Sequence, residues 1–225
     1  MGESILLTAA DGHQFGAWQD GPADAKHGLV VIQEIFGVNQ HMRQVCGQFA
    51  AAGYAVLAPA LFDRAERGVE LGYGPADVER GRTLRGRVPE DGTVQDVQAA
   101  HKALAGRIGG GSVGIVGYCW GGTVAWYGAT RTDGFRAAVG WYGGGIAATR
   151  TEQPHCPVQL HFGEKDAGIP LTDVEKIREA QPGVEVFVYP GAGHGFGCDE
   201  RASYDAAASA LAHDRTLAFF QRHLA

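Results

Sequence analysis

The sequence predicts an α/β protein built on one mostly parallel sheet of about eight strands, with helices on both faces. Three observations carry this expectation. Short apolar, β-branched runs recur along the chain and alternate with segments of helical pattern, the arrangement that builds parallel sheets through helical crossovers. Polar residues of catalytic type stand just after several of these runs, where an open α/β sheet places its ligands. The chain has 225 residues, 45% hydrophobic and 20% charged, which suits one globular domain over 1–225 with a sizeable core.

Each element follows from local signals. Residues 4–8 and 14–19 read as a hairpin around Asp11-Gly12. Residues 29–33 form a buried strand, 40–52 a helix stopped by Gly53, and 54–58 a strand ended by Pro59. Residues 60–89 read as long and irregular, with a helical stretch near 76–85. A helix over 93–107 leads through the glycines at 109–111 into a strand at 112–116 and a helix from 122 to 129. Strands at 137–141, 158–162 and 185–189, a helical region at 177–180 and a terminal helix over 204–223 complete the alternation.

Composition limits the partners. A net charge of −6 argues against nucleic acid, because phosphate binding needs a basic face. The sequence has no apolar run of about 18 residues, so no membrane span is expected. Met1-Gly2-Glu3-Ser4 lacks the basic and apolar regions of a signal peptide, and Leu6 stands where myristoylation wants Ser or Thr. The expectation is a cytoplasmic protein, a monomer or weak homodimer, acting on a small molecule. Cys46, Cys119, Cys156 and Cys198 form no C-x-x-C pair, so a zinc knuckle is not expected and the thiols should be reduced. Cys46 reads as core, and His155-Cys156 as a loop-to-strand junction. The glycines of 114–122 lack the Lys-Ser/Thr of a P-loop and the G-x-G-x-x-G spacing, so no nucleotide cofactor is expected; no metal is expected either, with His155-Cys156 the less favoured alternative for one.

The most informative residues are Gly117-Tyr118-Cys119-Trp120-Gly121, a nucleophile elbow with cysteine in the serine position. Strand, tight turn and helix surround it, placing the Cys119 sulfur near a helix N-terminus, whose field favours thiolate. Asp166 follows the run at 158–162, and His194 follows the run ending at 189, each in a loop past a strand end. The order nucleophile, acid, histidine is that of the α/β-hydrolase fold. His194 would serve as base for Cys119, and Asp166 would hold the imidazole in the right tautomer. The oxyanion donors of this fold would be the amides of Trp120 and Ile35. Phe36 and Trp120 flank those donors and should line the site; Trp141 and Phe196 stand at neighbouring strand ends and loops.

These residues identify a resemblance to the dienelactone hydrolase family, the cysteine-nucleophile branch of the α/β-hydrolases. It rests on Asp11-Gly12-His13 with Phe15-Gly16, on Gln33-Glu34-Ile35-Phe36-Gly37-Val38-Asn39, and on residues 114–122. Val139-Gly140-Trp141-Tyr142-Gly143 and Gly191-Ala192-Gly193-His194 extend it over nearly the whole chain. The resemblance implies a cofactor-independent ester or lactone hydrolase, carboxymethylenebutenolidase-like, with an acyl-thioester intermediate and a place in aromatic degradation. It implies that Glu34 helps deprotonate Cys119, although a carboxylate right after a buried strand could equally be a salt bridge to Arg80 or Arg82. It also implies an arginine clamp on the substrate carboxylate, matched by Arg80 or else Arg82. Cys198 and Gly195 occupy positions where the family has Arg and Ser. Loss of one charge-assisted hydrogen bond, worth roughly 1.5–3 kcal/mol, points toward a less charged ester or lactone, or toward a differently placed carboxylate. The alternatives are a promiscuous esterase on uncharged esters, or a redox-sensing or binding protein in which Cys119 is oxidised.

Overall fold

Four strands buried along their whole length form the middle of the fold: β3 (Gly28–Ile32), β4 (Ala55–Pro59), β5 (Val113–Tyr118) and β7 (Val158–Gly163). Burial of every residue, without alternation, is what a sheet covered on both faces imposes. A computed structural model describes residues 2–225. The remaining strands are β1 (Glu3–Thr8), β2 (Gln14–Asp20), β6 (Phe135–Trp141) and β8 (Glu185–Tyr189). They complete one eight-stranded sheet in the order β1-β2-β4-β3-β5-β6-β7-β8. Within this sheet, among the described residues, the pairings of β2 with β1 and β4 are antiparallel and the other five are parallel.

The helices are α1 (Gln40–Ala51), α2 (Pro75–Arg87), α3 (Glu90–Arg107), α4 (Trp120–Arg131), α5 (Leu171–Ala180) and α6 (Ala206–Leu224). Prolines set three starts: Pro75 opens α2, and Pro89 and Pro170 cap α3 and α5. A fixed φ and no need for an N–H donor suit proline to a first turn. Both α3 and α5 therefore begin earlier than their apolar pattern suggests. The terminal helix begins two residues later than expected, because the Asp205 side chain accepts the Ala208 N–H at 2.9 Å and fixes the N-cap. Cys46 is fully buried in the core, as its place in α1 suggested. No helix among the described residues is long and apolar enough to cross a membrane.

The order of the strands positions the site. The chain moves from β3 outward to β4, then returns past β3 to β5, so parallel neighbours β3 and β5 send their following loops apart. The crevice this opens is the ligand position of open α/β sheets. Glu34 and Ile35 leave β3 there, and Cys119 leaves β5.

Candidate active site

Cys119 sits on the sharp turn between β5 and α4 with φ 57° and ψ −117°. A non-glycine residue in that region costs on the order of 1–3 kcal/mol, and only surrounding structure holds it there. The Cys119 N–H donates to the Trp141 carbonyl at 3.0 Å, and its own carbonyl accepts from Gly122 at 3.0 Å. The elbow glycines are required by close approach. A Cβ on Gly117 would lie 1.9 Å from the Gly121 carbonyl oxygen, and one on Gly121 would lie 2.4 Å from that of Ile32. Trp120 is the first residue of α4, so its N–H has no intrahelical acceptor and remains available to a ligand.

His194 and Asp166 converge on the sulfur. His194 Nε2 lies 3.1 Å from Cys119 Sγ, and Nδ1 lies 2.7 Å from Asp166 Oδ2. The Gly168 N–H donates to the other Asp166 oxygen at 2.8 Å, and Ser203 Oγ donates to the His194 carbonyl at 2.6 Å. The Tyr142 ring, on a residue with φ 39°, stands edge-on to the imidazole at 5.2 Å. Burial disfavours the imidazolium, but hydrogen bonds to Asp166 and Cys119 outweigh it and hold the His194 pKa up to about 10.

Glu34 is wholly buried. Its Oε1 pairs with Arg201 Nη1 at 3.1 Å, and Oε2 receives a long contact from the Tyr73 hydroxyl at 3.4 Å. Burial works against the charge on Arg201, and the Glu34 carboxylate overrides it, raising the Arg201 pKa. The alternative reading of Glu34 as one half of a salt bridge named Arg80 or Arg82; the ion pair is present, but its cation is Arg201. Arg80 points outward to Glu66 at 2.5 Å on the exposed surface, so it is also not the arginine of the pocket.

A cavity of about 330 Å³ opens above Cys119 and His194. Ile35, Phe36, Trp120 and Thr123 line it, together with Arg82 and Arg85 from α2 and with Arg201. The structure thus brings Cys119, His194, Ile35, Phe36 and Trp120 together as expected, with Asp166 behind His194. It does not bring Trp141 and Phe196 there. Their rings stack on each other at 5.5 Å, and Trp141 Nε1 donates to Thr216 Oγ1 at 3.2 Å, so both belong to the core. Trp141 serves the elbow through its carbonyl instead. Cys198 is buried and its thiol is pushed up to about 12 by burial and by Glu34. The charge its position lacks is supplied from Arg201, in the irregular segment before α6. Sequence reading missed Arg201 and Arg85; the one cue was that a buried Glu34 needs a cation.

The model of the dienelactone hydrolase family matches residues 15–224. The chain belongs to the dienelactone hydrolase family. A carboxymethylenebutenolidase from Pseudomonas putida is 36% identical over 227 residues, covering 96% of this chain and 95% of that protein. A Klebsiella pneumoniae structure carrying a provisional dienelactone hydrolase name is 30% identical with a TM-score of 0.83, covering 99% of this chain and 100% of the other. A dienelactone hydrolase-like promiscuous phosphotriesterase from metagenomic libraries superposes at a TM-score of 0.79 over 100% and 99% of the two chains; at 20% identity the likeness is one of fold. This member of the family is a dienelactone hydrolase-like enzyme with the α/β-hydrolase fold, a hydrolase acting on esters or lactones.

Proposed function

We propose that the chain hydrolyses a carboxylate-bearing ester or lactone through a Cys119-His194-Asp166 triad and an acyl-thioester. The observation that carries this reading is the 3.1 Å contact between Cys119 Sγ and His194 Nε2 on a strained elbow. The proton shared between Cys119 Sγ and His194 Nε2 stays on the imidazole, as the imidazolium that Asp166 stabilises, while the sulfur adds to the substrate carbonyl carbon. The oxyanion that forms accepts hydrogen bonds from the amides of Ile35 and Trp120. Collapse breaks the ester C–O bond, and the imidazolium gives its proton to the leaving oxygen. A water molecule, deprotonated by His194, then attacks the thioester; the acid leaves and the Cys119-His194 pair regains its shared proton. Asp166 orients the ring and balances its charge throughout.

Glu34 contributes through charge: paired with Arg201, it fixes that guanidinium at the mouth of the pocket. Substrate anion and Glu34 then compete for Arg201, and an anionic substrate frees the carboxylate. Arg82 and Arg85 face the same cavity, which supports an anionic substrate over the less charged ester that Cys198 suggested.

The test is steady-state hydrolysis of a carboxylate-bearing dienelactone beside an uncharged aryl ester, with Cys119→Ala as control. Preference for the lactone with a loss of at least about 10³-fold in the variant supports the reading. Equal or better turnover of the aryl ester would restore the esterase alternative, and activity surviving Cys119→Ala would remove the nucleophile.

A further inference from the structure

A second group of buried side chains lies on the other flank of Glu34. Glu34, His41 and Cys198 are all buried, and one ligand atom from each lies within 4.8 Å of the other two. They come from three separate segments: the turn after β3, the first turn of α1, and the irregular segment before α6. The triad described above uses neither His41 nor Cys198. His41 Nδ1 is 3.1 Å from Asp199 Oδ1, so the ring nitrogen that Asp199 does not take carries a free lone pair. A carboxylate behind a histidine is the arrangement that orients metal-bound imidazoles. Glu34 also has capacity to spare, since its Oε2 has only the long Tyr73 contact.

We propose that Glu34, His41 and Cys198 form a site for a thiophilic divalent cation of the zinc class. Sulfur and imidazole donors select zinc or cobalt over magnesium or calcium, which prefer oxygen. Bond lengths of about 2.0–2.3 Å put tetrahedral ligands roughly 3.3–3.8 Å apart, so the present cluster needs a closure on the order of 1 Å. Binding converts the Cys198 S–H to thiolate and releases its proton to solvent. A fourth position remains for water. A cavity of about 240 Å³ borders the cluster on the His41 side, lined by His41, Gln44, Asp199, Tyr204 and His213 but by neither Glu34 nor Cys198, and it shares no lining residue with the Cys119 pocket. The ion and Arg201 hold the same carboxylate, so occupancy of this site reaches the pocket through Glu34.

The experiment is a titration of the full chain with Co²⁺ alone, read by absorbance. One equivalent should produce a near-ultraviolet thiolate-to-cobalt charge-transfer band with intense visible bands of tetrahedral type. The bands should persist in Cys119→Ser and vanish in Cys198→Ser and His41→Ala. Asp199→Asn should weaken Co²⁺ binding by about 10–100-fold. Circular dichroism matching the wild type establishes that each variant is folded before its titration is read. A silent wild type at saturating Co²⁺ overturns the proposal. So do bands that survive Cys198→Ser but are lost in Cys119→Ser, because the ion would then sit on the Cys119-His194 pair.

Discussion

Arg201 Nη1 reaches the buried Glu34 carboxylate at 3.1 Å from a segment just past His194, tying the turn after β3 to the loop that carries the histidine. Glu34 has no exposure, while Arg201 keeps a fifth of its side chain in solvent. Removing the cation leaves a carboxylate that water cannot reach, a loss that typically costs about 3–5 kcal/mol for a buried pair. Arg201→Ala should therefore lower the stability seen in urea unfolding by about 3 kcal/mol. Adding Glu34→Gln to it should restore much of that loss. If the single variant is as stable as the wild type, the pair does not hold the segment.

The pocket arginines separate by substrate charge. Arg82→Ala and Arg85→Ala should each raise KM for an anionic lactone by roughly 10–100-fold, the equivalent of one charge-assisted hydrogen bond, with little change for an uncharged aryl ester. Arg80→Ala should leave both substrates unaffected, because its guanidinium is committed to Glu66 on the surface. Paired KM measurements on the two substrates check all three variants.

These arginines also show where the sequence stops being readable. The elbow was legible because its chemistry needs neighbouring residues: Gly117, Cys119 and Gly121 must be adjacent for the turn to form. Asp166 and His194 were legible because each follows a strand end that the apolar pattern marks. The three residues Arg80, Arg82 and Arg85 share one helix, and only its phase decides which of them faces the cavity. That phase is set by Gly81 and Leu84, the two buried residues of α2, within an otherwise polar segment that gives weak periodicity. Arg201 lies in a segment without regular structure, where spacing predicts nothing about reach. Trp141 ends β6 and Phe196 lies two residues past His194, yet β-strand alternation and the turn after His194 send their rings into the core.

The proton on His194 gives a pH dependence. Its folded-state pKa of about 10 lies above the ordinary 6.5. The imidazolium pairing with Asp166 therefore stabilises the fold fully below about 6.5, and that stabilisation is lost as pH rises through about 10. Urea unfolding of the wild type should show stability falling between about pH 6.5 and 10. Asp166→Asn removes the main attraction and should flatten that slope, measured against the wild type in the same buffers. An unchanged slope would mean that other groups dominate this range.

Gly81 is where α2 meets the turn after β3. A Cβ there would lie 2.1 Å from the Ile35 carbonyl oxygen, a backbone atom that cannot swing aside. Alanine favours a helix over glycine by about 1 kcal/mol, but forcing α2 off the loop costs typically 1–3 kcal/mol, so the clash prevails. Moving Ile35 also moves the amide proposed to hold the oxyanion, and a displacement of about 1 Å can cost on the order of 100-fold in rate. Gly81→Ala should thus lower kcat for both lactone and aryl ester, because the donor acts on the reacting carbonyl and not on the remote charge. Gly86 supplies the contrast. It lies on the same helix, a Cβ there meets nothing within 4 Å, and its φ is unremarkable for a side chain. Gly86→Ala should raise stability by up to about 1 kcal/mol with kcat unchanged. Thermal unfolding and kcat of the two variants together distinguish a helix that merely covers the pocket from one that sets the Ile35 amide.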